Sequence, residues 1–294
     1  MITKKNLILV VSSLLLIMGL INYISGCGQQ PQGTKNKGLK VYIKADLEGA
    51  SGVVTFNKHS YDTGIYYEQS KILNTKEINA AVEGLLEEGV SEIVVLDDHG
   101  PGGINIDYLH PAAKIIMGEN KPVTLDSSFN ALLFMGQHSM SNTPKGNLAH
   151  SFSSRTINNI WLNGKLFGEI ADMVLLASYF NVPTIFLAGD DAACNEIKDL
   201  IPNVETVTVK EGLGLNSALC FSPEKAREEI KAGVKRAIRK IAQFKLYKVE
   251  PPYEVVIEYK DSKTAQYKSK REGWKIIDDL KCTYITNDYL SVKH

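Results

Sequence analysis

Short apolar runs that end in turns containing glycine or aspartate alternate along this chain with longer stretches whose apolar residues recur at helical spacing. The run "LKVYIKA" (39–45) predicts a buried strand. "SKILNTKEINAAVEGLLEEG" (70–89) predicts a helix with Ile72, Ile78, Ala81, Val82 and Leu85 on its apolar face and Gly89 as its stop. "SEIVVLDDHG", "AKIIMG" and "NALLFMGQHS" read as the next strands, and "SSRTINNIWLNGKLFG" as a hairpin around Asn163 and Gly164. The apolar helix "EIADMVLLASYFN", the strand "VPTIFLAGDD", the helix "AACNEIKDLI" and the strand "VETVTVK" follow. A long amphipathic helix then runs from Pro223 to about Phe244, with Ser222 as its cap.

This alternation predicts an α/β fold, a largely parallel sheet flanked by helices on both faces. From Lys248 the pattern changes: "PPYEVVIEYKDSKTAQYKS" alternates and is rich in aromatics, as antiparallel strands are. A smaller α+β, β-rich C-terminal subdomain is therefore expected at 248–294, after an α/β domain at 39–247.

The first residues follow neither pattern. A basic start, "MITKKN", leads into the apolar "LILVVSSLLLIMGLINYI" and then "SGC". This resembles a bacterial lipoprotein signal at 1–26, with Cys27 as the lipid acceptor; an uncleaved membrane-spanning anchor is the other reading. Either places the folded body outside the cytoplasm, tethered to the cell membrane. The polar segment 27–38 reads as a flexible linker.

Across 294 residues Lys plus Arg and Asp plus Glu both total 33, so no basic excess points to nucleic acid. Cys194, Cys220 and Cys282 form no CxxC spacing, and buried free thiols are expected.

The chemistry lies where the strands end, because open α/β sheets bind ligands outside the carboxyl ends of their strands. There the chain places Asp46 and Glu48, then Asp97, Asp98 and His99, then His138, then Asp190 and Asp191. Each has a structural alternative, such as a helix cap, a turn or a satisfied core histidine. Together they would repel one another unless a cation is bound. Imidazole and carboxylate without thiolate suit zinc or a similar transition metal. Phosphate binding at Gly49 and Gly52 is disfavoured, since the spacing is not GxGxxG and two carboxylates stand where a phosphate would approach.

At these residues the sequence resembles the DppA-type D-aminopeptidases, a family of binuclear zinc peptidases. The motifs are "DLEGASG", the histidine of "DDHG", "LHPAAKIIMG", "GQHSMSNTP", "AHSFSS", "CFSPEKA" and the stretch from "LNGKLFGEIADM" to "VETVTVK". They span Lys40 to Ile241; beyond Lys248 only "PPYEVVIEY" matches.

The resemblance implies two zinc ions per subunit on Asp46, Glu48, His99, His138 and Glu169. Asp46 would bridge, Glu48 and His99 would complete one site, and His138 and Glu169 the other. It implies a catalytic role for His150, as nucleophile, general base or transition-state donor, and a structural one for His110. Asp98 stands where the family carries a small hydroxyl residue and adds negative charge beside His99. Asp190 and Asp191 are candidates to hold the substrate ammonium or to orient a ligand histidine.

The implied activity is hydrolysis of short peptides, those with an N-terminal D-residue above all, by a homo-oligomer of the ring-like decamer kind. A peptide-binding lipoprotein without catalysis and another binuclear metallohydrolase, such as an amidase or phosphoesterase, are the alternative readings.

Overall fold

The computed structural model describes residues 38–292. The signal segment, Cys27, all of the linker but Gly38, and His294 lie outside the described residues. Among the described residues no helix is long and apolar enough to cross a membrane.

The strands run β1 (Lys40–Ala45), β2 (Glu92–Asp97), β3 (Ala113–Ile116), β4 (Ala131–Gln137), β5 (Ile157–Leu162) and β6 (Lys165–Leu166). They continue with β7 (Thr184–Asp190), β8 (Glu205–Gly214), β9 (Ser217–Cys220), β10 (Tyr253–Tyr259), β11 (Lys275–Ile276) and β12 (Lys281–Thr286). The α-helices are α1 (Tyr67–Glu87), α2 (Glu169–Tyr179), α3 (Asp191–Leu200), α4 (Pro223–Arg239) and α5 (Ser262–Lys268).

Seven strands form one sheet in the order β3-β2-β1-β4-β7-β8-β9, parallel except for the antiparallel pair β8 and β9. β1 lies inside it between β2 and β4, with Ile43 opposite Val95 on one side and Leu133 on the other. A strand enclosed on both edges and both faces must be apolar almost throughout, which is why "LKVYIKA" barely alternates. Val41, Ile43 and Ala45 face the core under α1 and α4, and Tyr42 faces the opposite core with α2 and α3.

The second sheet is antiparallel where its strands pair, in the order β11-β12-β10-β5-β6. The predicted hairpin around Asn163 and Gly164 supplies β5 and β6, and Val255 of β10 lies opposite Leu162 of β5. The tail thus completes a sheet begun a hundred residues earlier. α2 lies between the two sheets: Ile170, Met173, Val174 and Ala177 join the core of the first, Ala171 and Leu175 that of the second. Its nearly continuous apolar sequence is the consequence of having two partners.

Three boundaries differ from expectation. α1 starts at Tyr67, α4 stops at Arg239 before a 3-10 turn at Ile241–Gln243, and β9 follows β8 where no strand was predicted. Cys194 and Cys282 are buried, but Cys220, on the edge strand β9, is half-buried.

Candidate metal centre

The strand order reverses between β1 and β4, the switch point at which open α/β sheets bind ligands. Asp46 follows β1 directly, and His138 follows β4 directly. Close approach of the two strand ends is built into the sequence. A Cβ on Gly49 would strike the Gln137 backbone, and one on Gly136, at φ +61, would strike the Asp46 carbonyl.

Asp46 is 3% exposed and stands between two imidazoles. Its Oδ1 lies 3.5 Å from His99 Nδ1 and its Oδ2 3.5 Å from His138 Nε2. Glu48 Oε2 lies 3.0 Å from His99 Nδ1, and Glu169 Oε1 lies 3.6 Å from His138 Nε2. Asp46, Glu48 and His138 bring one ligand atom each within 4.8 Å of one another, and so do His138, His150 and Glu169.

The far nitrogen of each histidine is tied to a backbone carbonyl. His138 Nδ1 donates to Ser139 O at 2.9 Å, and His99 Nε2 donates to Ser60 O at 2.9 Å. In a neutral ring this leaves the other nitrogen as a lone pair facing carboxylates, an arrangement that repels unless a cation lies between them. His138 Nε2 is buried and has no hydrogen-bond partner. The donor set therefore fits a zinc ion. Without metal the rings must hold a proton in its place: burial alone would lower their pKa values, yet Glu48 and Asp46 raise His99, and Glu169 and Asp46 raise His138, well above the ordinary imidazole value.

Three side chains that the sequence reading did not single out support these groups. Ser60, at the end of a π-helical turn (Phe56–Ser60), donates through Oγ to Glu48 Oε1 at 2.6 Å. Lys210, buried on β8, donates to the carbonyls of Glu48 and Val53 and so closes the loop after β1. Lys44 Nζ lies 3.1 Å from Asp46 Oδ2, 3.2 Å from Glu169 Oε2 and 2.9 Å from Gln137 Oε1. Burial would raise the carboxyl of Glu169, but Lys44 and His138 bring it down to about 2; Lys44 likewise holds Asp46 well below the usual range.

Lys44 also lies 3.5 Å from Asp98 Oδ2, so the charge that Asp98 adds beside His99 is matched by an ammonium beneath it. Desolvation still pushes Asp98 up to about 6 against the pull of Lys44. Lys44 had a readable signal. Residues two apart in a strand share a face, so a lysine two positions before a strand-end aspartate is placed to meet it.

His150 lies in the loop before β5. Its Nδ1 donates to Leu148 O at 2.8 Å, and its ring stacks on that of His138 with centroids 3.9 Å apart. Burial and the neighbouring His138 push its pKa below the ordinary value. Glu169 opens α2, where its Oε1 also accepts from Phe152 N at 2.8 Å. His150, Glu169, Asp46, Glu48, His99 and Asp98 share the wall of one open cleft of about 310 Å³.

Asp190 and Asp191 do not reach this cleft. Asp190 is 0% exposed and caps α3, accepting from Ala193 N at 2.7 Å, while its other oxygen accepts from Asn147 N at 3.2 Å. Asp191 accepts from Gly212 N at 2.8 Å. An aspartate at a strand-to-helix junction is well suited to capping, and that need explains Asp190 without a substrate. Asp97 likewise serves the backbone, accepting from Gly103 N and Ile104 N. His110 Nδ1 accepts from Ala112 N at 3.1 Å, a turn contact.

The family model described as D-aminopeptidase, peptidase family M55, matches residues 39–294, so the match extends through the tail. A curated D-aminopeptidase of Bacillus subtilis (strain 168) is 34% identical over 196 residues, 64% of this chain and 69% of that protein. The solved structure of the Zn-dependent D-aminopeptidase DppA from Bacillus subtilis, a self-compartmentalizing protease, is similar with a TM-score of 0.82 and 28% identity, covering 86% of this chain and 93% of that one. With the switch-point cluster of carboxylates and histidines set in that fold, the chain belongs to the D-aminopeptidase family.

Proposed function

We propose that this chain is a zinc-dependent D-aminopeptidase that releases N-terminal D-residues from short peptides. Family membership and the zinc dependence of DppA support the activity. The carrying observation is the Asp46 carboxylate, 3.5 Å from an imidazole nitrogen on either side. On this reading Asp46 is shared by two zinc sites, with Glu48 and His99 on one side and His138 and Glu169 on the other. These residues would hold zinc, which when bound would supply an acidified water and polarisation of the scissile carbonyl.

The chain's own groups do the rest. Lys44 fixes the outer oxygens of Asp46 and Glu169, and Ser60 fixes Glu48. The Leu148 carbonyl fixes Nδ1 of His150, which leaves Nε2 to exchange a proton with the leaving amine. A second role for His150, as a further metal donor, is favoured by its ligand atom lying within 4.8 Å of those of His138 and Glu169.

Release of D-Ala from D-Ala-D-Ala, abolished by chelator and restored by zinc, tests the activity and separates it from mere peptide capture. A parallel panel of aminoacyl amides and phosphate esters separates it from other metallohydrolases. Asp46→Ala should lose bound zinc; undiminished zinc content would overturn the site.

We further propose that the mature protein is a homo-oligomer held by a lipid on Cys27 at the outer face of the cell membrane. The self-compartmentalizing character of DppA supports the oligomer, and the signal-like first 27 residues support the anchor. Membrane fractionation of the full chain against Cys27→Ala, and the mass of the detergent-solubilised particle, test the anchor and the decamer respectively.

A further inference from the structure

The cleft wall beside the metal centre carries five carboxylates, Asp46, Glu48, Asp62, Asp98 and Glu169. The one arginine or lysine in that wall is Arg155, and its guanidinium makes no salt bridge among the described residues. It lies over the ring of Tyr61 with its central carbon 4.3 Å from the centroid. A guanidinium held on an aromatic face keeps its N–H edge free and is oriented for two parallel hydrogen bonds to a carboxylate.

Arg155 is exposed, and hydrogen bonds brace the residues on either side of it. Ser154 O accepts from Lys260 Nζ at 2.7 Å, and Ser154 Oγ lies 3.1 Å from the Tyr61 hydroxyl. Ser153 Oγ accepts from Thr156 N at 3.2 Å on the other side. Tyr61 in turn stacks on Phe56, whose ring meets that of His150 edge-on, both at 5.5 Å between centroids. These contacts place Arg155 on the same cleft wall as His150, on an aromatic pair that leads to it.

The charge balance decides what it binds. The proposed zinc ions and Lys44 offset Asp46, Glu48, Asp98 and Glu169, so away from the metal centre a peptide carboxylate meets Asp62, which repels it, and Arg155, the cation that attracts it. At about 310 Å³ the cleft is also at the small end of ligand sites, roughly 300–1,000 Å³, which suits a peptide of two or three residues.

We propose that Arg155 is a specificity residue that captures the free C-terminal carboxylate of a very short peptide whose amino end lies at the metal centre. The inference rests on the aminopeptidase reading and adds the residue by which free acids would be told from amidated peptides, which lack this contact.

The test compares zinc-loaded wild type, Arg155→Ala and Arg155→Lys on D-Ala-D-Ala and D-Ala-D-Ala amide, with zinc content measured for each. Wild type should prefer the free acid by about tenfold or more in kcat/KM, chiefly through KM. Arg155→Ala should raise KM for the acid by about that factor, leave the amide within about twofold and keep its zinc; Arg155→Lys should recover part of the loss. Equal treatment of acid and amide by wild type, or equal losses on both in Arg155→Ala, would overturn the proposal. D-Ala-D-Asp amide should behave as the simpler amide does; cleavage like the free acid would move recognition to a side chain and overturn the C-terminal assignment. If wild type cleaves neither peptide, the aminopeptidase reading fails, and Arg155 is then judged by calorimetric binding of the same acid and amide, where equal affinity overturns it.

Discussion

Lys44 reaches Asp98 at 3.5 Å from beneath the metal centre, while the same ammonium lies 3.1 Å from Asp46 and 3.2 Å from Glu169. One buried cation therefore holds three carboxylates together before any metal arrives. Breaking such a group by removing one partner costs about 3–5 kcal/mol. Lys44→Met should lower the melting temperature sharply in chelator and recover much of it on adding zinc. A melting temperature in chelator equal to that of wild type would show that Lys44 does not hold the cluster.

His150→Ala should separate the two roles open to that residue. As a proton carrier it contributes roughly 10²–10⁴ in rate, so turnover should fall by at least two orders of magnitude while bound zinc is unchanged. Zinc loss in this variant would make His150 a ligand instead.

Glu77 gives the protein a pH-dependent stability that owes nothing to the metal. It is buried on α1; its Oε1 accepts from Ser51 N at 3.0 Å, and its Oε2 has no partner. Burial pushes its carboxyl up to about 8, against about 4.3 for an unfolded glutamate. The folded value being the higher, its contribution is complete below about pH 4 and is lost as pH rises through about 8. Glu77→Gln should flatten that decline and be the more stable protein above pH 8, by on the order of 2–4 kcal/mol. Parallel melting curves for the two proteins from roughly pH 5 to 9 would refute the assignment.

Gly49→Ala tests the close approach of the strand ends. The added methyl meets the Gln137 backbone, and overpacking of this kind costs about 1–3 kcal/mol. Since the collision pries β1 from β4 where Asp46 meets His138, zinc affinity should fall along with the melting temperature. A stability loss with unaltered zinc affinity would mean that the two strand ends move together.

The sheet and the switch-point cluster were legible because both rest on period and position. Apolar runs mark the strands, and the ends of β1, β2 and β4 bring Asp46, His99 and His138 to one place. Glu169 was not legible in that way. An acidic residue at a helix start is ordinary, and only the resemblance to a family picked it out. Ser60 was hidden for another reason: it acts through its hydroxyl and its carbonyl together, from a short turn with no pattern of its own. Asp190 shows the converse error, since the strand-end rule cannot tell a ligand from a cap. β9 was missed because it pairs backward on an edge, where few apolar positions are required.

The burial of α2 between two sheets sets an order of events. Glu169 opens this helix, and one turn on, the Tyr289 hydroxyl donates to Asp172 Oδ1 at 2.8 Å and lies 2.9 Å from its carbonyl. The second sheet that grips Ala171 and Leu175 is complete only with β10 and β12. Tyr289→Phe should therefore weaken zinc binding several-fold with no atom of the cleft altered, and unchanged affinity would detach the tail from the metal. Glu169 therefore depends for its position on residues made long after it, and the candidate ligand set settles only once β10, β12 and Tyr289 have been synthesised.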